Sequence, residues 1–201
     1  MLTAFICALI GYFFGSIPYG LVFTKMAGLP DIRTIGSGNI GATNVLRTGR
    51  KDLALLTLIF DLSKAALAAL ICEYFWDSNN MGLIAGFFAV IGHNYPVWLN
   101  FKGGKGVAST LGMILATTPI VGLISVLLWL AMALIFRYSS LAALTALTAA
   151  PICALVLGHE EAALCYALLA LLSGFRHKEN INRLMTCGET KISFKRKKND
   201  A

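Results

Sequence analysis

Charge is scarce in this 201-residue chain: 13% of residues are charged, and ten acidic side chains stand against seventeen basic ones. With 57% hydrophobic residues, that scarcity excludes an ordinary water-soluble domain, in which about a quarter of residues carry charge. Acids this few and scattered do not form a cage for a divalent cation, so no metal site is expected. The five cysteines are odd in number and include no C-x-x-C, which suggests neither a zinc site nor a disulfide framework. Cys7, Cys72, Cys153 and Cys165 fall in or beside apolar stretches and read as helix filler. A Walker A sequence is missing as well, so no nucleotide is expected as a partner. The first apolar stretch lacks a basic leader and an A-x-A site, and reads as a retained helix rather than a cleaved signal.

What fills the chain is a series of apolar stretches approaching the ~20 residues needed to cross ~30 Å of hydrocarbon. Residues 2–23, 53–75, 81–99, 119–136 and 140–157 read as spans, with shorter ones at 107–118 and 161–175. The stretch 107–118 reaches only about 18 Å at 1.5 Å per residue. The expected fold is therefore an all-α integral membrane protein of about seven transmembrane helices, some of them short. It forms one domain over 1–201, ending in a basic tail at 185–201.

Charge then orients the bundle. The connections 24–52, 100–106, 137–139 and 176–201 hold every Lys and Arg except Lys64, whereas 76–80, 117–118 and 158–160 hold none. Lys and Arg accumulate on the cytoplasmic side. This places the N-terminus outside, the C-terminus in the cytoplasm, and the polar motifs on the cytoplasmic face of a multi-pass inner-membrane protein. The net charge of +7 is thus a one-sided field that calls for no nucleic acid. The tail "KISFKRKKND" reads as a solvated end touching anionic headgroups, so membrane lipid is a partner.

The stretch "IGSGNIGATNVLRTG" contains G-x-G-x-x-G at Gly36, Gly38 and Gly41, with Asp61 twenty residues further on. That spacing suggests a dinucleotide fingerprint, but "LPDIRT" is a poor strand and Asp61 lies inside an apolar helix, so the fingerprint fails. An anion cradle survives, because successive glycines let backbone N–H groups converge on a phosphate. A second glycine loop, "NFKGGKGVAST", sets Lys105 between Gly104 and Gly106 at the start of the short fourth helix. Helix starts carry free N–H donors and about half a positive charge. Asn44, Ser109, Thr110, Ser139 and Ser140 stand near three such starts on the same face, with Arg47 adding charge.

A third cluster, "RHKENINRL", continues the seventh span in this reading. His177, Asn180 and Leu184 would then share one helical face, with Arg176, Asn180 and Arg183 on an adjoining one. Two further polar sites lie within apolar sequence. Asp61 and Lys64, three apart on a helix, form a possible buried pair, since either one alone would cost about 3 kcal/mol at mid-membrane. His93 and Asn94 precede the second loop and either support it or contact a substrate.

At "GSGNIGATNVLRT", "GHNYPVWLNFKGGKGVAST" and "RHKENINRL" the chain closely resembles the three motifs of the bacterial acyl-phosphate:glycerol-3-phosphate acyltransferases, the PlsY family. "GSIPYG", "DLSK", "RYSSLAAL" and "GETKI" are similar to the family too, in order and across nearly the whole chain. Ser109 before Thr110 and the pair His93–Asn94 depart from the usual pattern without removing a charged motif residue. The family lacks an H-x-x-x-x-D motif, and no histidine of this chain has an Asp five residues on.

The resemblance implies an enzyme that moves a fatty acyl group from acyl phosphate to the 1-hydroxyl of sn-glycerol 3-phosphate. Lysophosphatidic acid and phosphate result, at the first acylation of phospholipid synthesis and without a cofactor. It implies catalytic roles for Lys105, His177 and Ser37. Substrate binding would fall to Gly36, Gly38, Asn39, Gly41, Asn44, Arg47, His93, Asn94, Gly103, Gly104, Gly106, Ser140, Asn180 and Arg183. Two groups compete to accept the hydroxyl proton: His177, whose ring ordinarily titrates near neutrality, and the donor's own phosphate, whose second ionisation lies at about 6. A transporter of an organic phosphate or anion is the rival class, since broken helices with their dipole ends aimed at an anion serve transport as well.

Overall fold

The computed structural model describes residues 1–192, and among these every regular element is helical. The first expected span is broken in two. Helix α1 (Leu2–Ser16) ends before Pro18, and α2 (Tyr19–Met26) starts after it. The proline ring drives the preceding residue out of the helical region, and Ile17 accordingly sits at φ −69°, ψ 115°. The break leaves the Ile17 carbonyl open to a side chain from elsewhere.

A short helix α3 (Ala42–Leu46) follows the first glycine loop and leads into α4 (Lys51–Trp76) and α5 (Asn79–Asn94). Next come α6 (Val107–Thr117), α7 (Pro119–Phe136), α8 (Ser139–Val156), α9 (Glu160–Arg176) and α10 (Lys178–Met185). Five segments are long and apolar enough to cross a membrane: Leu2–Met26, Lys51–Trp76, Asn79–Leu99, Pro119–Phe136 and Ser139–Val156. The eleven residues of α6 span only about 16 Å, and the 17 of α9 about 25 Å. Because α6 is too short to reach across, the polar groups of its terminal turn need partners within the protein. The buried Tyr166 hydroxyl supplies them, 2.6 Å from Thr117 Oγ1 and 2.7 Å from Thr118 Oγ1.

Small residues face inward and large ones face outward. On α4, Ala65, Ala68, Ala69 and Cys72 are fully buried, while Leu55, Ile59, Leu67 and Leu70 are exposed. Lipid tails are as apolar as leucine, so helices associate through close backbone approach at small side chains. Gly11 and Gly15 of α1 show this against α5: a Cβ added at either would lie 2.0 or 1.9 Å from the carbonyl oxygen of Ala85 or Ala89.

One expectation is corrected by this architecture. The seventh helix does not run on through the third motif. It stops at Arg176, and His177 (φ −99°, ψ 10°) is the joint to α10, so His177 does not share a continuous face with Asn180 and Leu184. Glu189, which precedes the stretch "KISFKRKKND", folds back into the polar cluster described below. The remainder of the basic tail, 193–201, lies outside the described residues.

Candidate active site

Four connecting segments are tied together at one end of the bundle. Thr43 Oγ1 lies 3.3 Å from Ser139 Oγ, and the Ile192 N–H donates to the Arg137 carbonyl at 2.7 Å. A cleft of about 230 Å³ is lined by residues from all three motifs and by Phe175: Ser37, Gly38 and Asn39; Gly103 and Lys105; Arg176, Lys178 and Glu179.

The first glycine loop is shaped from within by Asn44. Its Nδ2 donates to the carbonyls of Ile32 and Asn39, each at 2.7 Å, and its Oδ1 accepts from the Ser37 N–H at 3.1 Å. The Ser37 hydroxyl and Arg47 Nη1 reach the same oxygen at 3.3 and 3.4 Å. Asn44 is 2% exposed and thus fixes the loop rather than facing the cleft. Gly36 adopts φ +57°, with Arg47 and Asn44 filling the space a Cβ would take. Gly41 caps α3 and is tied to the Asn39 side chain, which leaves Ser37 and Asn39 as the loop's polar surface on the cleft.

The second loop is anchored from beneath and from above. Gly103 N–H donates to the Asn94 carbonyl at 3.1 Å and Gly104 N–H to the His93 carbonyl at 3.0 Å. Arg176 then clamps the other edge, donating to the Gly103 and Gly104 carbonyls at 2.9–3.1 Å while lying over the Tyr95 ring. Both glycines are therefore structural in their N–H groups, contrary to the simple cradle the sequence suggests. The anion donors that remain are Lys105 and the opening turn of α6, whose first N–H groups have no intrahelical partner. Gly106, at φ +75°, makes the turn into that helix, with the wholly buried Asn94 amide packed against it. His93 and Asn94 thus support the loop.

Lys105 Nζ donates to Asn180 Oδ1. The Asn180 amide donates onward to Glu189 Oε1 at 2.8 Å, and the Ser140 hydroxyl reaches the same oxygen at 3.0 Å. Arg183 Nε bonds Glu189 Oε2 at 2.8 Å. Burial raises the Glu189 pKa, but the bonds from Arg183, Asn180 and Ser140 outweigh it and hold the carboxyl below its usual value. Lys105 shows the opposite balance: burial lowers its pKa to about 8, against the opposing pull of Glu189, with the Arg183 and Arg47 charges adding to the fall. His177, 2% exposed, is lowered to about 4, chiefly by burial. Its Nδ1 lies 2.8 Å from the Ser173 carbonyl, so Nδ1 carries the proton and donates.

Comparison with known proteins shows which family the chain belongs to. A family model described as glycerol-3-phosphate acyltransferase matches residues 5–187. The chain belongs to the glycerol-3-phosphate acyltransferase family. It is 56% identical to the glycerol-3-phosphate acyltransferase of Rhodospirillum rubrum over 96% of this chain and 92% of that protein. With the Maricaulis maris enzyme of the same name it shares 55% over 100% and 93%. It also resembles crystal structures of PlsY (YgiH), an integral membrane glycerol 3-phosphate acyltransferase. The glycerol 3-phosphate form gives a TM-score of 0.89 at 40% identity, covering 94% of this chain and 96% of that one. The lysophosphatidic acid form gives 0.86 at 39%, covering 94% of each.

Two residues of this cluster take places that a reading of the sequence does not assign them. Glu189 joins Ser140, Asn180 and Arg183; it lies in the family-like stretch "GETKI", which by itself gives it no role. Arg176, which the sequence places only on a helical face with Asn180 and Arg183, turns onto the glycine loop. In contrast, Lys105, Ser37 and Asn39 stand at the cleft where the motifs placed them.

Proposed function

We propose that the chain transfers a fatty acyl group from acyl phosphate to the 1-hydroxyl of sn-glycerol 3-phosphate, releasing lysophosphatidic acid and phosphate. The observation that carries this reading is the meeting of Lys105 with Ser37 and Asn39 in one small polar cleft at the end of an apolar bundle. Both substrates bear a phosphate, and Lys105, Arg47 and the α6 start supply positive potential for them. The acyl tail enters from lipid beside the short α6. Seven spans, an outer N-terminus, an inner-membrane location and a cytoplasmic cleft complete the reading, supported by the one-sided distribution of Lys and Arg.

Acyl phosphate is a mixed anhydride, already activated, so no covalent enzyme intermediate is required. The glycerol hydroxyl oxygen attacks the acyl carbon, the carbon–oxygen bond to phosphate breaks, and phosphate departs. Lys105 stabilises charge developing on the carbonyl and the leaving phosphate, while Ser37, Asn39, Arg47 and Asn180 orient glycerol 3-phosphate. Arg183 takes part through Glu189. The hydroxyl proton goes to the donor's phosphate, which titrates at about 6. The low pKa of about 4 supports this over His177, since a general base works best near the operating pH.

Purified protein in lipid, given palmitoyl phosphate and glycerol 3-phosphate, tests the proposal. Lysophosphatidic acid and phosphate should appear in equal amounts, and Lys105→Ala should abolish both. Phosphate without the lipid product would refute transfer. Neither product, together with glycerol 3-phosphate uptake into vesicles, would favour a transporter.

A further inference from the structure

Behind the second glycine loop lies a buried charged group that the proposed mechanism leaves unused. Asp61 and Lys64 on α4 are each 2% exposed, and His93 at the end of α5 is 5% exposed. Lys64 Nζ has three acceptors around it: Asp61 Oδ1 at 2.8 Å, the Ile17 carbonyl at 3.0 Å and His93 Nδ1 at 2.8 Å. The second of these is the carbonyl exposed by the break at Pro18.

An ammonium has three N–H donors and no acceptor. Because Lys64 Nζ can only donate, its 2.8 Å contact leaves His93 Nδ1 one role, that of a bare lone pair receiving a proton from Lys64. A neutral imidazole with a bare Nδ1 carries its proton on Nε2, and a proton on both nitrogens would set N–H against N–H. Asp61 Oδ1, 3.5 Å from Nδ1, is drawn instead to the ammonium. His93 Nε2 in turn lies against Gly104, where a Cβ would come within 2.0 Å of it, and it has no hydrogen-bond partner among the described residues.

We infer that Asp61 and Lys64 are positioning residues that lock His93 as its Nε2–H tautomer, presenting a neutral N–H donor at Gly104 to the phosphate held by the loop. This rests on the acyltransferase reading above and deepens it. A ring whose Nε2 already holds a proton donates to the anion and does not accept the hydroxyl proton. The lock also explains why a charged pair is buried beneath the loop: in the absence of Lys64, the nearest group to Nδ1 is the Asp61 carboxylate, an acceptor. It would pull the proton to Nδ1 and turn a bare Nε2 lone pair towards the substrate anion.

Ring ¹⁵N NMR on histidine-labelled protein in nanodiscs reads the tautomer directly. The chain has three histidines, and the signal missing from His93→Gln identifies His93. In substrate-free wild type the protonated nitrogen should be Nε2, and in Lys64→Met it should become Nδ1. Asp61→Asn/Lys64→Met, which buries no lone charge, guards against misfolding. The side-chain amide that Asp61→Asn introduces can donate to Nδ1 and should return the proton to Nε2. Acylation kinetics add a second readout: His93→Phe should lower kcat/KM about 100-fold, the loss typical of one missing oxyanion donor, and His93→Gln less than tenfold. A wild-type Nδ1–H tautomer, or equal activity in His93→Phe and His93→Gln, would overturn the lock. Nε2–H in a wild-type protein that acylates nothing would sink the acyltransferase reading and leave the lock standing.

Discussion

Lys105 offers the most direct test of the site, because burial holds its pKa at about 8 where an exposed lysine keeps 10.5. A group of that pKa is about 90% charged at pH 7 and about 10% charged at pH 9. If only the ammonium holds phosphate, kcat/KM should fall about tenfold over that interval and about tenfold per pH unit beyond it, since this parameter reports the free enzyme's groups. The assay is the initial rate of lysophosphatidic acid formation at low substrate from about pH 6 to about pH 10, with enzyme-free hydrolysis of acyl phosphate subtracted. Lys105→Arg should remove the alkaline limb whatever it does to the rate, because a guanidinium stays protonated throughout this range. Glu189→Gln should move the limb to lower pH, because the Glu189 carboxylate is the charge that most raises Lys105. An alkaline limb that survives Lys105→Arg at the wild-type pH would refute the assignment.

Other substitutions probe the supports. Glu189→Ala strands Asn180, Ser140 and Arg183 together, and should cost about 1–3 kcal/mol in unfolding free energy by thermal melt, a range set by unpaired polar groups. Arg176→Lys keeps the charge and loses the fork on two carbonyls, so KM for glycerol 3-phosphate should rise about tenfold, the equivalent of ~1.4 kcal/mol. Gly104→Ala drives a Cβ to 2.0 Å from a buried ring nitrogen. It should cost about 1–3 kcal/mol of stability as an overpacked site, with activity falling in step. His177→Asn should leave the acid limb at about pH 6 in place, because that limb belongs to phosphate rather than to a ring held at about 4.

The membrane class and the three polar motifs were legible in the sequence because each depends on local composition. Apolar runs of membrane length, glycines near a lysine and clustered basic residues need no tertiary information to be seen. The break at Pro18 was less visible, since a proline within an apolar run is also compatible with a kinked, continuous helix. Lys64, on α4, gives that break its purpose by bonding Ile17, and only packing brings the two together. Asn44 was misjudged for a related reason. An amide beside glycines reads as a ligand, yet here its hydrogen-bonding positions face inward to Ile32, Asn39 and Ser37. Glu189, 49 positions from Ser140, belongs to a contact that sequence spacing does not reveal.

The cations of the cleft are held in different ways, and the difference bears on where an anion settles. Arg183 is paired with a carboxylate, Glu189, which cancels most of its charge. Arg176 faces two carbonyl oxygens and an aromatic ring, so its donors are already engaged and its place is structural. Among the described residues, Lys105 and Arg47 have only neutral amide oxygens, from Asn180 and Asn44, as hydrogen-bond partners. Lys105, half-buried with a neutral partner, has lost hydration without regaining an opposite charge, and its lowered pKa shows that cost, whereas Arg47 is exposed. In the proposed reading, an incoming phosphate removes that deficit at Lys105 and gains little at Arg176 and Arg183. In that reading the glycine loops serve mainly to bring Lys105 to the cleft beside Ser37 and Asn39, while Asn44, Arg176 and Glu189 hold the backbone and the neighbouring charges in place.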